Sequence, residues 1–150
     1  MRIAIGCDQN AYALKTIIIN HLKKVDVEFA DFGCHEGEEV LYPDVAHTVA
    51  KEIANGKYDR GILLCGTGLG MAITANKVPG IRAATCHDVF SAERAIKSND
   101  AQIITMGAQV IGPELAKMLI DAWLASEFQG GRSKPKVDLI NEIDGIYHQK

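Results

Sequence analysis

Five short runs of apolar and β-branched residues punctuate the chain: Arg2 to Cys7, Val27 to Phe32, Gly61 to Cys65, Arg82 to Cys86 and Gln102 to Met106. None alternates polar with apolar residues, as a strand with one wet face does. Successive side chains of a strand point to opposite faces, so an unbroken apolar run implies cover on both sides, the situation of a parallel sheet between two layers. Between the runs the period lengthens to that of a helix. Leu14, Ile17, Ile18 and Leu22 share one face, as do Val45, Val49 and Ile53. Leu115, Met118, Leu119 and Ala122 repeat the pattern after Pro113, a residue suited to a first helical turn. Strand alternating with helix predicts an α/β fold: a Rossmann-like doubly wound sandwich with a five-stranded parallel sheet, joined by right-handed crossovers.

A chain of 150 residues buries roughly 70% of its unfolded surface, enough for a core without metal or disulfide staples. With no repeat, linker or low-complexity stretch, residues 1–150 are expected to form one domain. The end of the chain differs in character. Gly130-Gly131 breaks it after the helix carrying Trp123, and Arg132, Lys134 and Lys136 then lead into a C-terminal helix with Val137, Ile140, Ile143 and Tyr147 on one side. A helix on such a hinge either folds back or reaches another subunit, and the sequence favours neither.

Sixteen Lys and Arg against nineteen Asp and Glu leave a formal charge of −3, which argues against nucleic acid or an anionic membrane as partner. No apolar run approaches the ~20 residues of a membrane span, and Met1 leads directly into a strand pattern rather than a signal peptide. The four cysteines have neither CxxC nor zinc-type spacing, so free thiols and a cytoplasmic location are expected. No two of the five histidines are spaced to clamp a metal, and neither metal nor cofactor is expected. His21 falls on the polar side of its helix, where solvation is expected, and only His87 falls near the strand ends that matter.

Ligands of open α/β sheets bind outside the carboxyl ends of the strands, where strand order reverses. Those ends carry Asp8, Gln9 and Asn10, then Cys65-Gly66-Thr67-Gly68-Leu69-Gly70, then His87 and Asp88. Three alternating glycines let the backbone turn its N–H groups toward one point and start a helix there, an anion-binding nest. The spacing is neither the dinucleotide fingerprint nor a Walker loop. Cys65 stands in front of the nest, where amide dipoles favour a thiolate able to act as base or nucleophile; a small hydrophobe closing a strand is the other role open to it. Cys7, Cys34 and Cys86 lack a nest and read as structural. Asp8 is placed either to hold hydroxyls or to cap the next helix. Arg132, Lys134 and Lys136 serve either as solvated surface or as a clamp for one phosphate. Asn99 is suited to donate to an oxyanion or to end a helix.

Taken together, Arg2 to Asp8, Tyr42-Pro43-Asp44, Gly61 to Gly70, Asn76 to Ala84, Asn99-Asp100-Ala101, Gly107, Val110-Ile111-Gly112 and Gly130-Gly131-Arg132 resemble the type B ribose-5-phosphate isomerases and their galactose-6-phosphate isomerase relatives. The resemblance covers nearly the whole chain. It implies metal-independent aldose–ketose isomerisation of a phosphorylated sugar through a cis-enediol(ate). Cys65 would move the proton between C1 and C2, and Thr67 would assist transfer between the two oxygens. The amides of Gly66, Gly68, Leu69 and Gly70, with Asn99, would stabilise the enediolate, and Asp8 would hold hydroxyls. Gln9, Gln109, Arg132 and Lys136 stand at substrate-binding positions. The family is dimeric or tetrameric, each cleft completed by the partner subunit.

The departures are specific. The ribose-specific members have His where this chain has Ser98, the acid that opens the furanose ring, and His where it has Gln9. Arg becomes Gln109, Arg-His becomes Arg132-Ser133, and the final phosphate Arg becomes Lys136, which keeps the charge and loses the planar fork. A tetrose 4-phosphate cannot close a furanose, because the oxygen that would close it carries the phosphate. It needs no ring opener. From Ser91 through Arg94 to Asn99, from Ala101 to Gly107, and at Gly131-Arg132-Ser133 and Tyr147-His148, the chain resembles the family's D-erythrulose-4-phosphate isomerases. The tetrose reading therefore ranks above ribose 5-phosphate. A non-catalytic phosphate-binding domain of flavodoxin-like shape is the alternative from another class, and the intact Cys65 and its nest disfavour it.

Overall fold

A computed structural model describes residues 1–148. The five apolar runs form strands β1 (Arg2–Cys7), β2 (Glu28–Asp31), β3 (Arg60–Cys65), β4 (Ala83–Thr85) and β5 (Ile103–Gly107), all parallel, in the spatial order β2-β1-β3-β5-β4. The helices are α1 (Tyr12–Lys24), α2 (Tyr42–Ala54), α3 (Leu69–Ala75), α4 (Val89–Lys97), α5 (Pro113–Leu124) and α6 (Lys134–Tyr147).

Helices α1, α4 and α5 cover one face of the sheet. Leu22, Ile96, Leu119 and Trp123 pack there with Ile5, Ile62, Leu64 and Ile104. Helices α2 and α3 cover the other, where Val49, Ile53 and Met71 meet Ala4, Leu63, Cys65 and Ile103. Neighbours along β3 thus go to opposite cores, and both cores are dry. This is why the run is apolar throughout rather than every second residue.

Two expectations shift, and the choice left open for the C-terminal helix is resolved. The buried stripe of α5 is Ala116, Leu119, Ile120 and Trp123, while Met118 is 58% exposed. The large indole captures the core side and turns the helix off the stripe that Leu115 and Met118 suggested. His21 is not solvated: its Nε2 lies 2.6 Å from Asp121 Oδ1, tying α1 to α5. On α6 only Val137 is buried, and Ile140, Ile143 and Tyr147 stay exposed. That helix lies back on its own chain through polar contacts, Gly80 N–H to Asp144 Oδ2 at 2.6 Å and Arg82 Nη1 to Asn141 Oδ1 at 2.7 Å. Among the described residues no helix is long and apolar enough to cross a membrane.

Helix α2 rides unusually close to the sheet because glycines lie beneath it. A Cβ on Gly6 would sit 2.5 Å from Val45 Cγ1, and one on Gly61 2.7 Å from Ile53 Cδ1 and 3.2 Å from Val49 Cγ1. The close approach brings Tyr42, in the first turn of α2, against Gly70, where a Cβ would lie 2.5 Å from the ring. Gly61→Val is therefore expected to overpack this core. A loss of roughly 1–3 kcal/mol, read as a lower urea midpoint with unchanged slope, is the expected outcome; an unchanged midpoint would show that α2 has room to lift.

Candidate active site

All strands run the same way, so their carboxyl ends share one edge of the sheet. From β1 the chain crosses to β2 on one side and then to β3 on the other, so the crevice expected of a doubly wound sheet opens between the ends of β1 and β3. The Asp8 amide donates to Leu64 O at 3.2 Å, which stands Asp8 beside Cys65. Cys65 in turn is in register with Gly107, the last residue of β5.

The loop after Cys65 is held by main chain pressed on main chain. Gly68 has φ +77°, and a Cβ there would come within 2.8 Å of the Met106 backbone. From the other side, a Cβ on Gly107 would lie 2.6 Å from the Thr67 backbone. The buried Thr105 hydroxyl donates to Gly68 O at 2.8 Å, and Thr85 Oγ1 lies 2.8 Å from Thr105 Oγ1. The peptide unit is planar with C=O and N–H opposed, so fixing the Gly68 carbonyl also aims the Leu69 N–H. That N–H donates to Thr67 Oγ1 at 3.3 Å. The loop after β5 clamps the nest with Ala108 N–H to Cys65 O at 2.9 Å and Gln109 N–H to Gly66 O at 3.0 Å.

The four thiols have different surroundings. Burial pushes Cys7 up to about 12, with Cys34 Sγ 3.9 Å away, and pushes Cys86 up to about 11. Both stay protonated near neutrality. Cys65 Sγ instead accepts the Gly68 N–H at 3.1 Å, a contact that strengthens when the sulfur carries charge. Asp8 takes the capping role: Oδ1 accepts the Asn10 N–H at 3.0 Å and Oδ2 the Asn10 side chain at 3.2 Å. Gln9 Oε1 accepts the Val40 N–H at 3.1 Å, and the Gln109 side chain lies over Gly66. His87 Nε2 accepts the Gly107 N–H at 2.9 Å, so this nitrogen carries no proton.

The remaining expected site residues stand elsewhere. Asn99 precedes β5, and Cys65 is level with its last residue. A five-residue strand separates them by roughly 13 Å at about 3.3 Å per residue. Asn99, Arg132 and Lys136 share a separate cavity of about 570 Å³, lined also by Arg94 and Ser98 and by the Gly130-Gly131 hinge. The expected trio of cations is split, because Lys134 turns to Asp138 (2.6 Å) and Arg94 takes its place. Among the described residues no Asp or Glu lines this cavity. Arg82 braces it, with Nε 3.1 Å from Asn99 O and Nη2 2.8 Å from Asp100 O, holding Asp100 at φ +48°. The reading of strand ends passed over Arg94, Gln129 and Arg82. Arg94 was legible as the residue one helical turn before Ser98. Among the described residues no three His, Cys, Asp or Glu side chains are grouped to hold a metal ion.

The family model described as Ribose/Galactose Isomerase matches residues 3–140. Ribose-5-P isomerase B of Listeria innocua is 64% identical over 144 residues, covering 96% of this chain and 97% of that protein. D-erythrulose-4-phosphate isomerase of Pectobacterium atrosepticum is 57% identical over 141 residues, 93% of each. Among solved structures, the ribose-5-phosphate isomerase B of Clostridium thermocellum superposes with a TM-score of 0.95 at 48% identity, over 98% of this chain and 99% of that one.

The contrast between the thiols sets up a direct measurement. Brief treatment of the folded protein with iodoacetamide near neutral pH is expected to alkylate Cys65 first, by peptide mass spectrometry, with Cys7, Cys34 and Cys86 labelled only after denaturation. Labelling of Cys7 or Cys86 at an equal rate would contradict this assignment.

Proposed function

Because the chain belongs to the ribose/galactose isomerase family, we propose that it interconverts an aldose and a ketose phosphate through a cis-enediol(ate), with an open-chain tetrose 4-phosphate, D-erythrulose 4-phosphate and its aldose, as the preferred substrate. The observation that carries the choice of sugar is the composition of the basic cavity. Its lining includes cations, amides and hydroxyls and, among the described residues, no His, Asp, Glu, Cys or Tyr able to protonate a ring oxygen. Ser98 stands where a ring-opening acid would be needed for a furanose.

In this reading Cys65, as thiolate, takes the proton from one carbon and returns it to its neighbour. Thr67 carries the proton between the two oxygens. A proton beside a carbonyl is too weakly acidic for a thiolate in water, so the oxyanion needs several kcal/mol of stabilisation, and the amides of the Gly66–Gly70 nest supply it. Asp8 is nearly enclosed and already accepts two hydrogen bonds, which fixes its carboxylate toward the substrate's hydroxyls.

The separation of Asn99, Arg132 and Lys136 from Cys65 supports a shared cleft, in which one copy supplies the thiol and nest and a second copy the phosphate cavity. The exposed apolar residues on α3 (Leu69, Ile73) and α6 (Ile140, Ile143) are suited to hold the copies together. Ribose 5-phosphate is the second reading, favoured by the 64% identity to a protein named for it.

Two experiments test these points. In steady-state assays wild type is expected to favour the tetrose phosphate over ribose 5-phosphate in kcat/KM, and Ser98→His to raise the ribose rate selectively by ~10²-fold or more, the usual worth of a placed acid. A wild-type preference for ribose 5-phosphate would leave the pentose reading standing. Separately, Cys65→Ala and Arg132→Ala are each expected to be nearly inactive. Co-expression should restore about a quarter of wild-type activity, since half of randomly mixed dimers carry one intact cleft of two. No recovery on co-expression would mean that each cleft is built from one copy.

A further inference from the structure

Three cations line the basic cavity, and two of them, Arg132 and Lys136, lie where phosphate ligands were expected. Arg94 is the third. It comes from α4, one turn before Ser98, so the two side chains are neighbours on one helical face. Its Nε is buried and has no acceptor among the described residues. Its Nη2 reaches Glu93 Oε1 only at 3.5 Å, and that same oxygen is closer to Lys97 Nζ, at 3.2 Å. A guanidinium whose Nε has no acceptor, on a lining shared with two further cations and, among the described residues, with no carboxylate, is arranged for a dianion.

We infer that Arg94 is a phosphate-binding residue that sets the length of sugar the cleft accepts, an inference that rests on the tetrose reading above. The placement gives the reason. Arg132 and Lys136 stand on the hinge side of the cavity, whereas Arg94 stands on the wall that also carries Ser98 and Asn99. In the proposed cleft Asn99 faces the reacting carbons. A phosphate drawn toward Arg94 therefore sits nearer the enediolate than one held by Arg132 and Lys136 alone. Removing one carbon from the sugar shortens the distance from carbonyl to phosphate by about one bond, ~1.5 Å. The Arg94 side chain is 34% exposed, and Ser98, one turn away on the same lining, adds only a hydroxymethyl group beside it. The small residue at 98 and the Arg at 94 thus act together: one removes the ring opener, the other gathers in the nearer phosphate.

The test compares wild type, Arg94→Gln and Arg94→Lys with D-erythrulose 4-phosphate and ribose 5-phosphate, and uses inorganic phosphate as competitive inhibitor. Arg94→Gln is expected to lower kcat/KM for the tetrose at least ten-fold, mostly through KM, and for ribose 5-phosphate less than three-fold. Arg94→Lys should recover part of the loss. Phosphate should inhibit Arg94→Gln at least ten-fold more weakly than wild type, whichever sugar is turned over. Equal losses on both sugars would overturn length selection, and unchanged inhibition by phosphate would overturn binding by Arg94. Failure of the tetrose reading shows separately, as a wild-type preference for ribose 5-phosphate. Circular dichroism and the urea midpoint of each variant report whether a loss comes from misfolding.

Discussion

Everything in this molecule depends on its strands being parallel. Because β3 and β5 run the same way, a residue that follows one and a residue that precedes the other are held at opposite edges of the sheet. The register of Cys65 with Gly107 makes that distance rigid. A thiol in front of amides and a patch of cations are kept apart within one chain by the same hydrogen bonds that make the sheet. Leu69 and Ile73 on α3 and Ile140 and Ile143 on α6 are left as exposed apolar side chains.

The strands, the helices between them and the glycine loop after Cys65 were legible from the sequence for a common reason. Burial on both faces forces the unbroken apolar runs of β1, β3 and β5, whereas the edge strands β2 and β4 are only partly covered. A loop of alternating glycines between such a run and a helix marks a tight turn. What escaped were features decided by competition in three dimensions. Trp123 lies off the stripe drawn through Leu115 and Met118, yet its bulk commands the core side of α5. His21 lies on a polar face, yet Asp121, a hundred residues later, is folded next to it. Lys134 and Lys136 are two residues apart on a helix and so point different ways, one to Asp138 and one to the cavity. Spacing alone could not pair Arg94 with the hinge, because that contact depends on where α6 begins relative to α4.

Asp8 and Gln9 show how one residue holds two kinds of obligation. Both stand at the edge where a ligand would bind, and both already accept backbone hydrogen bonds, Asp8 from Asn10 and Gln9 from Val40. Local satisfaction of this kind does not compete with ligand binding. It restrains the side chain, so less rotational freedom is lost when a substrate arrives.

The nest and the cavity are made of different material, and this has a consequence for how such a protein changes over time. The nest is backbone seated on backbone, Gly68 on Met106 and Thr67 on Gly107, so no exchange of side chain adjusts it by a small step. The cavity is walled by the end of α4 and by the segment from Gln129 into α6, outside the strands, where side chains are replaceable without disturbing the sheet. Selection acting on a duplicated copy would find the edge that carries the nest nearly immovable and the cavity wall open to drift. A lineage built this way is expected to keep one reaction while its members diverge in the sugar they accept.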